Sequence, residues 1–183
     1  IIGVPNEVEN VDLPQQCPSC DSLLEWNENR VDLTCLNKSC PATNKAALID
    51  FFALLKADEL GEGIISALWE AGYQSVKDLL QLTMDDLLKL EGFKQKKAKN
   101  VLDSIKASVV DVPLPRLQHA SNLFKGLGEK KLELLQKYDK AGIKPSFEEL
   151  LEVDGYSEIS AKSYLNSIDA YWEFAAELPG LKY

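Results

Sequence analysis

Two short runs near the start of the chain, Leu23-Leu24-Glu25-Trp26 and Val31-Asp32-Leu33-Thr34, have the apolar and polar patterning of strands. The polar stretch Asn27-Glu28-Asn29-Arg30 between them predicts a hairpin turn. From Lys45 onward strand patterns vanish and apolar residues recur at three- and four-residue spacing, the period of amphipathic helices. The pattern therefore predicts a mainly α chain headed by one small β-hairpin.

The helical part repeats itself. Residues 83–105 align without a gap on residues 146–168, at a constant offset of 63. The pairs Leu87/Leu150, Leu88/Leu151, Gly92/Gly155, Phe93/Tyr156, Ala98/Ala161, Lys99/Lys162, Leu102/Leu165 and Ile105/Ile168 carry the match. Each copy opens on a capping box, Thr83 with Asp86 and Ser146 with Glu149. A short helix, an acidic-Gly-aromatic turn and a second helix come next. Ala98, Val101, Leu102 and Ile105 form one apolar stripe, and Ala161, Tyr164, Leu165, Ile168 and Trp172 another.

A weaker match precedes each copy. Glu59-Leu60-Gly61-Glu62 leads into a helix with Ile65 and Leu68, and Gly126-Leu127-Gly128-Glu129 into one with Leu132 and Leu135. Ala71-Gly72-Tyr73 and Ala141-Gly142-Ile143 are expected to end these helices at glycine. Val112-Pro113-Leu114-Pro115 reads as a stiff linker between two doublets, so four helix–turn–helix units are expected.

All four cysteines lie in the first 40 residues, as Cys17-Pro18-Ser19-Cys20 and Cys35-Leu36-Asn37-Lys38-Ser39-Cys40. A hairpin with a pair at each open end gathers four thiolates, which suits tetrahedral zinc. Two disulfides or four unrelated thiols are the alternatives. With four cysteines and no histidine beside them, no coordination position remains for water, so the zinc is expected to be structural. It would replace the core that so short a segment cannot build.

Turns of the form Gly-apolar-Gly between helices are the helix-hairpin-helix pattern. Glycine permits the tight turn, and the second helix then presents free N–H groups to which a phosphate can bind. Such contacts carry no base information. The candidate DNA-binding residues are Gly61, Gly92, Lys94, Lys96, Lys97, Lys99, Lys125, Gly126, Gly128, Lys130, Lys131 and Gly155. The second and third turns, with their lysines, are expected to make most phosphate contact. The first and fourth, flanked by Asp58 and Glu62 and by Glu152, Asp154 and Glu158, are expected mainly to pack. Two plainer alternatives stand beside this: glycines that only cap helices in a bundle, and lysines that form a solvated face.

Composition changes the picture in one respect. Hydrophobic residues are 45% and charged residues 27%, values of a folded protein, but the formal charge is −9. Bulk attraction for polyanions is thereby disfavoured, while a grip through backbone amides is not. No apolar run approaches the roughly 18 residues that cross a bilayer. The start, Ile1-Ile2-Gly3-Val4-Pro5, has neither a Met nor the features of a signal peptide, and the only Met is Met84, so the chain is expected to be a piece of a longer protein in a reducing, cytoplasmic compartment. His119 and the tryptophans Trp26, Trp69 and Trp172 read as structural groups.

Taken together, Cys17-Pro18-Ser19-Cys20, Cys35-Leu36-Asn37-Lys38-Ser39-Cys40-Pro41-Ala42, Leu60-Gly61-Glu62, Leu90-Glu91-Gly92-Phe93 and Pro113-Leu114-Pro115-Arg116-Leu117 resemble the C-terminal half of bacterial-type NAD-dependent DNA ligases. The resemblance covers nearly the whole chain. It implies the end of an oligonucleotide-binding barrel and a linker over residues 1–14, with Ile1–Val4 as its last strand, and a four-cysteine zinc finger over 15–44. Two helix-hairpin-helix doublets are implied over 45–111 and 112–177. It also implies a clamp on nicked double-stranded DNA, in which NAD serves a separate nucleotidyltransferase part, in cis or as another subunit. No Lys-x-Asp-Gly adenylation motif occurs here, since the one Asp-Gly, Asp154-Gly155, follows Glu152. This chain alone is therefore expected to be inactive in adenylyl transfer. Glycine is missing from three of the four turns, and a divergent member of viral, phage or split-subunit type is therefore expected. A DNA-structure-binding module of another repair or replication protein, and an acidic partner-binding module, are the competing functions.

Overall fold

The computed structural model describes residues 13–27, 30–138 and 144–179. The expected barrel strand at Ile1–Val4, the tip of the hairpin turn at 28–29 and the glycine cap at 141–143 lie outside these residues. The chain divides into two compact units, one up to Asn44 and one from Lys45.

In the first unit β1 (Leu24–Trp26) and β2 (Leu33–Cys35) pair antiparallel, with Leu24 opposite Cys35 and Trp26 opposite Leu33. The second strand starts two residues later than the pattern predicts, for a local reason. The Asn27 side chain accepts from the amides of Val31 and Asp32 and donates to the Asp32 carboxylate at 2.9 Å, which extends the turn to Asp32. Val31 is left exposed. Trp26 is also half exposed, 48%, so it is not the packing group its type suggested. Among the described residues of this unit only Cys17 and Cys40 are buried.

The second unit is helical: α1 (Pro41–Leu54), whose first turn belongs to the first unit, α2 (Glu62–Glu70), α3 (Val76–Leu80), α4 (Met84–Leu88), α5 (Gln95–Ser108), α6 (Leu114–Ala120), α7 (Glu129–Glu133), α8 (Phe147–Leu151) and α9 (Glu158–Ala176). Both expected capping boxes form. The Thr83 and Ser146 hydroxyls accept from the amides of Asp86 and Glu149, whose carboxylates accept from the N-cap amides in return. A third box, Ser75 with Asp78, starts α3. Gly72, at φ +97°, closes α2: its amide bonds Trp69 O and the Tyr73 amide bonds Leu68 O, which satisfies two orphan carbonyls.

The proline segment differs from its sequence reading. It is not merely a linker, because α6 begins inside it, with Pro113 as N-cap and Pro115 in the first turn. Proline fits there because first-turn amides have no intrahelical acceptor to lose.

One core runs through the unit. Ile65, Leu68, Leu87, Val101, Ile105, Leu132, Leu135 and Leu150 are fully enclosed. In α9 the buried line is Ala161, Tyr164, Ile168, Tyr171 and Ala175, while Leu165 and Trp172 lie only at its edge. Four helical hairpins result, α1–α2, α4–α5, α6–α7 and α8–α9, each joined by one of the turns singled out above.

Candidate metal centre and nucleic-acid interface

The hairpin and two knuckles bring the four cysteines together. Asp21, at φ +56°, turns the chain so that the Cys17 amide bonds Ser22 O at 2.8 Å and the Asp21 amide bonds Cys17 O. In the second knuckle the Cys40 amide bonds Asn37 O at 3.0 Å, and the Asn37 side chain donates to Ser22 Oγ at 3.1 Å, tying one knuckle to the other. The four Sγ atoms all lie within 4.8 Å of one another. Cys17 and Cys40 are 3.7 Å apart and Cys20 and Cys35 3.5 Å.

These separations are far beyond the roughly 2.05 Å of a disulfide. They match the S···S distance of about 3.8 Å that follows from Zn–S bonds of about 2.3 Å in a tetrahedron. The electrostatics agree. Cys20 is held down to about 6, chiefly by the hydroxyl and amide of Ser22, and Cys40 is lowered by the hydroxyl and amide of Thr43. At Cys35 the Asn37 amide lowers, but loss of solvent and the crowding thiols outweigh it and push the group up to about 12. Thiols this close oppose joint ionisation, and a divalent cation among them removes that opposition. The residues thus fit a structural zinc ion with four cysteine ligands.

In the helical unit the two positions of each Gly-apolar-Gly turn have different physical demands. The first carries Gly92, Gly126 and Gly155 at φ +79°, +73° and +86°, a left-handed conformation that other residues adopt only at a cost. In the α1–α2 turn this position is Glu59, and the left-handed residue is instead Lys56, at φ +58°. The second position is the N-cap of the following helix in all four: Gly61, Lys94, Gly128 and Ser157, with φ between −65° and −119° and ψ near 165°. Any residue adopts that geometry, so Lys94 and Ser157 cost the fold nothing. The middle residue points inward: Leu60, Phe93 and Leu127 are buried and Tyr156 half-buried.

The helix starts behind these turns are not alike. No side chain caps α2, α5 or α7. At α9 the Ser157 hydroxyl accepts from the Ser160 amide, so that helix start is partly closed. A Cβ placed on Gly61 or Gly128 meets nothing within 4 Å. The protein itself therefore makes no steric demand for glycine there.

The predicted lysines also separate. Lys94, Lys96 and Lys130 are exposed, and their ammonium groups have no hydrogen bond or ion pair among the described residues. Lys97 lies 4.3 Å from the centre of the Phe93 ring, and Lys99 pairs with Asp103 at 2.8 Å, which raises its pKa. Lys125 donates to Asn122 at 3.0 Å. Lys131 is turned back, its Nζ donating to Ser160 Oγ at 3.0 Å. Arg116, not among the candidate residues, pairs with Glu129 at 3.0 Å at the start of α7. Its position in the Pro-Leu-Pro-Arg-Leu run was visible, but its partner was not. His119 sits half-buried on α6.

Comparison with known proteins fits this geometry. Residues 16–42 match the NAD-dependent DNA ligase C4 zinc finger domain, and residues 51–107 match a SAM-like helix-hairpin-helix tandem. A DNA ligase of Wolinella succinogenes is 38% identical over 172 residues, covering 92% of this chain and 26% of the ligase. One of Campylobacter hominis is 35% identical over 83% of the chain and 24% of the ligase. One of Bacillus cytotoxicus is 42% identical over 52% of the chain and 15% of the ligase. Fold and site define a four-cysteine zinc finger followed by tandem helix-hairpin-helix units. The chain belongs to the NAD-dependent DNA ligase family, of which it carries the zinc-finger and helix-hairpin-helix part. It spans about a quarter or less of the length of these relatives. Among the described residues no helix is long and apolar enough to cross a membrane.

Proposed function

We propose that this chain is the duplex-gripping, non-catalytic part of an NAD-dependent DNA ligase. It holds nicked double-stranded DNA while a nucleotidyltransferase part, in cis or as a separate subunit, uses NAD and seals the strand. The observation that carries this reading is the set of helix starts without side-chain caps at α2, α5 and α7, with open space at Gly61 and Gly128. Backbone amides there can approach phosphate oxygens without a side chain in the way. Lys94 and Lys96 beside one turn, and Lys125 and Lys130 beside another, add charge where the −9 total does not. Contact is with the sugar-phosphate rails, so affinity follows duplex shape rather than base sequence.

The zinc supports the grip indirectly. In a unit whose buried residues, among those described, are Cys17 and Cys40, four sulfur ligands take the place of an apolar core.

Fluorescence anisotropy with nicked duplex, intact duplex and single-stranded DNA tests the assignment. Tighter binding to the nicked duplex is expected. Equal affinity for nicked and intact duplex points to a generic DNA-structure module, and no binding at low salt points to a protein partner. Reversing charge at Lys96 and Lys97 together, or at Lys130, is expected to weaken duplex binding several-fold, whereas Glu158→Gln leaves it unchanged.

A further inference from the structure

The duplicated hairpins α4–α5 and α8–α9 share a backbone but not a surface. At the constant offset of 63, Phe93 is replaced by Tyr156, Lys94 by Ser157, Lys96 by Ile159, Lys97 by Ser160 and Asn100 by Ser163. The first copy thus bears cations where the second bears hydroxyls and one exposed apolar side chain, Ile159.

Three of those hydroxyls, on Tyr156, Ser160 and Ser163, have partners in the preceding hairpin. Ser163 Oγ donates to Lys125 O at 2.6 Å, and the Tyr156 hydroxyl donates to Lys131 O at 3.1 Å. Ser160 Oγ receives the Lys131 ammonium. Ser167 Oγ lies 3.0 Å from Leu123 O and 2.8 Å from the Ser163 carbonyl one turn back. The Phe124 ring stacks on Tyr164 with centroids 5.5 Å apart. Both flanks of the Gly126-Leu127-Gly128 turn, residues 123–125 and 131, are therefore fixed by the fourth hairpin. In the first doublet the corresponding side-chain hydrogen bond among the described residues runs from the Glu59 amide to Ser104 Oγ at 3.3 Å.

From this we infer that the fourth hairpin is a splint for the third. Tyr156, Ser160 and Ser163 are positioning residues that hold the 123–131 segment in its DNA-contacting shape and do not touch DNA themselves, and Lys131 belongs to the splint. The inference rests on the proposed duplex binding by the third turn.

The experiment titrates the whole chain against a labelled nicked duplex at several salt concentrations. Loss of two hydrogen bonds in the Ser163→Ala/Tyr156→Phe double variant is expected to weaken binding about tenfold. The slope of log affinity against log salt stays at the wild-type value, because no phosphate neutralisation is lost. Hydrogen exchange of amides 127–132 speeds up in the same variant, while Ser163→Thr with Tyr156 retained, which keeps both hydroxyls, leaves affinity and exchange at the wild-type values. Lys130→Glu, in contrast, reduces the slope by about 0.9 or more. Wild-type affinity in the double variant, with Lys130→Glu impaired, overturns the splint and leaves the duplex reading intact. Wild-type affinity in both overturns the third turn as a contact, and the splint with it. A reduced slope in the double variant also overturns the splint, since it means direct phosphate contact. Should the double variant unfold, Tyr156→Phe alone, which removes one oxygen, carries the same comparison.

Discussion

Glycines that look alike in the sequence do different work. Gly92, Gly126 and Gly155 supply a left-handed backbone, whereas Gly61 and Gly128 sit at ordinary N-cap angles with open space beyond the missing side chain. Gly126→Ala is therefore expected to lower unfolding stability by roughly 1–2 kcal/mol in a denaturant titration. Gly128→Ser takes the opposite course. Serine is a preferred N-cap, and the repeat already uses one at Ser157, so stability should hold or rise while duplex affinity falls as the hydroxyl occupies the amides of α7. Equal effects of the two substitutions on folding and binding would remove the distinction. The motif pattern marks both glycine types identically, because spacing reports identity and not φ. Only the backbone angles separate them.

Among the elements, short helices depend on their caps. α4 and α8 are five residues each, too short to be stable on propensity alone, and each begins with a reciprocal box and buries one leucine, Leu87 or Leu150. Leu150→Ala should cost about 2–5 kcal/mol, read as a shift of the unfolding midpoint. The Asp86 carboxyl is held below its ordinary value of 3.8, first by the Thr83 hydroxyl and then by the Thr83 amide. A depressed folded-state pKa gives stability that is complete above the unfolded value and is lost as pH falls through the folded one. Below about pH 4 wild type should therefore lose melting temperature more steeply than Asp86→Ala. These boxes were legible because they are local, three residues apart, and because the repeat shows the pattern twice. The α3 box, Ser75 to Asp78, was equally local, but it lies outside the repeated stretches, so no second copy marked it. In α9 the period misled: Tyr171-Trp172-Glu173-Phe174-Ala175 offers apolar groups on several faces, and packing chose Tyr171 and Ala175 over Trp172 for the core.

For the molecule as a whole, two units rest on different physics. The helical unit has a continuous apolar core, and the unit before Lys45 has, among its described residues, a cysteine cluster in its place. Chelation of the metal should abolish the ordered hairpin, seen as loss of dispersed amide signals for residues 13–40, while far-ultraviolet circular dichroism keeps most of its helical intensity. Collapse of both signals together would mean that the helical core does not stand alone. The sequence by itself determined the four-cysteine hairpin, the duplicated capping boxes and the places of the turn glycines, though not which of them are left-handed. Each depends on residues close together in the chain or on an exact internal repeat, and local sterics and hydrogen bonding act at that range. Tertiary structure alone decided which lysines stay free, that Lys131 turns back to Ser160, and that Ser163 and Ser167 reach across 38 and 44 residues to Lys125 and Leu123. A serine on a helix has no apolar signature and carries no mark of its distant acceptor until the core has packed and brought the two helices within hydrogen-bonding distance.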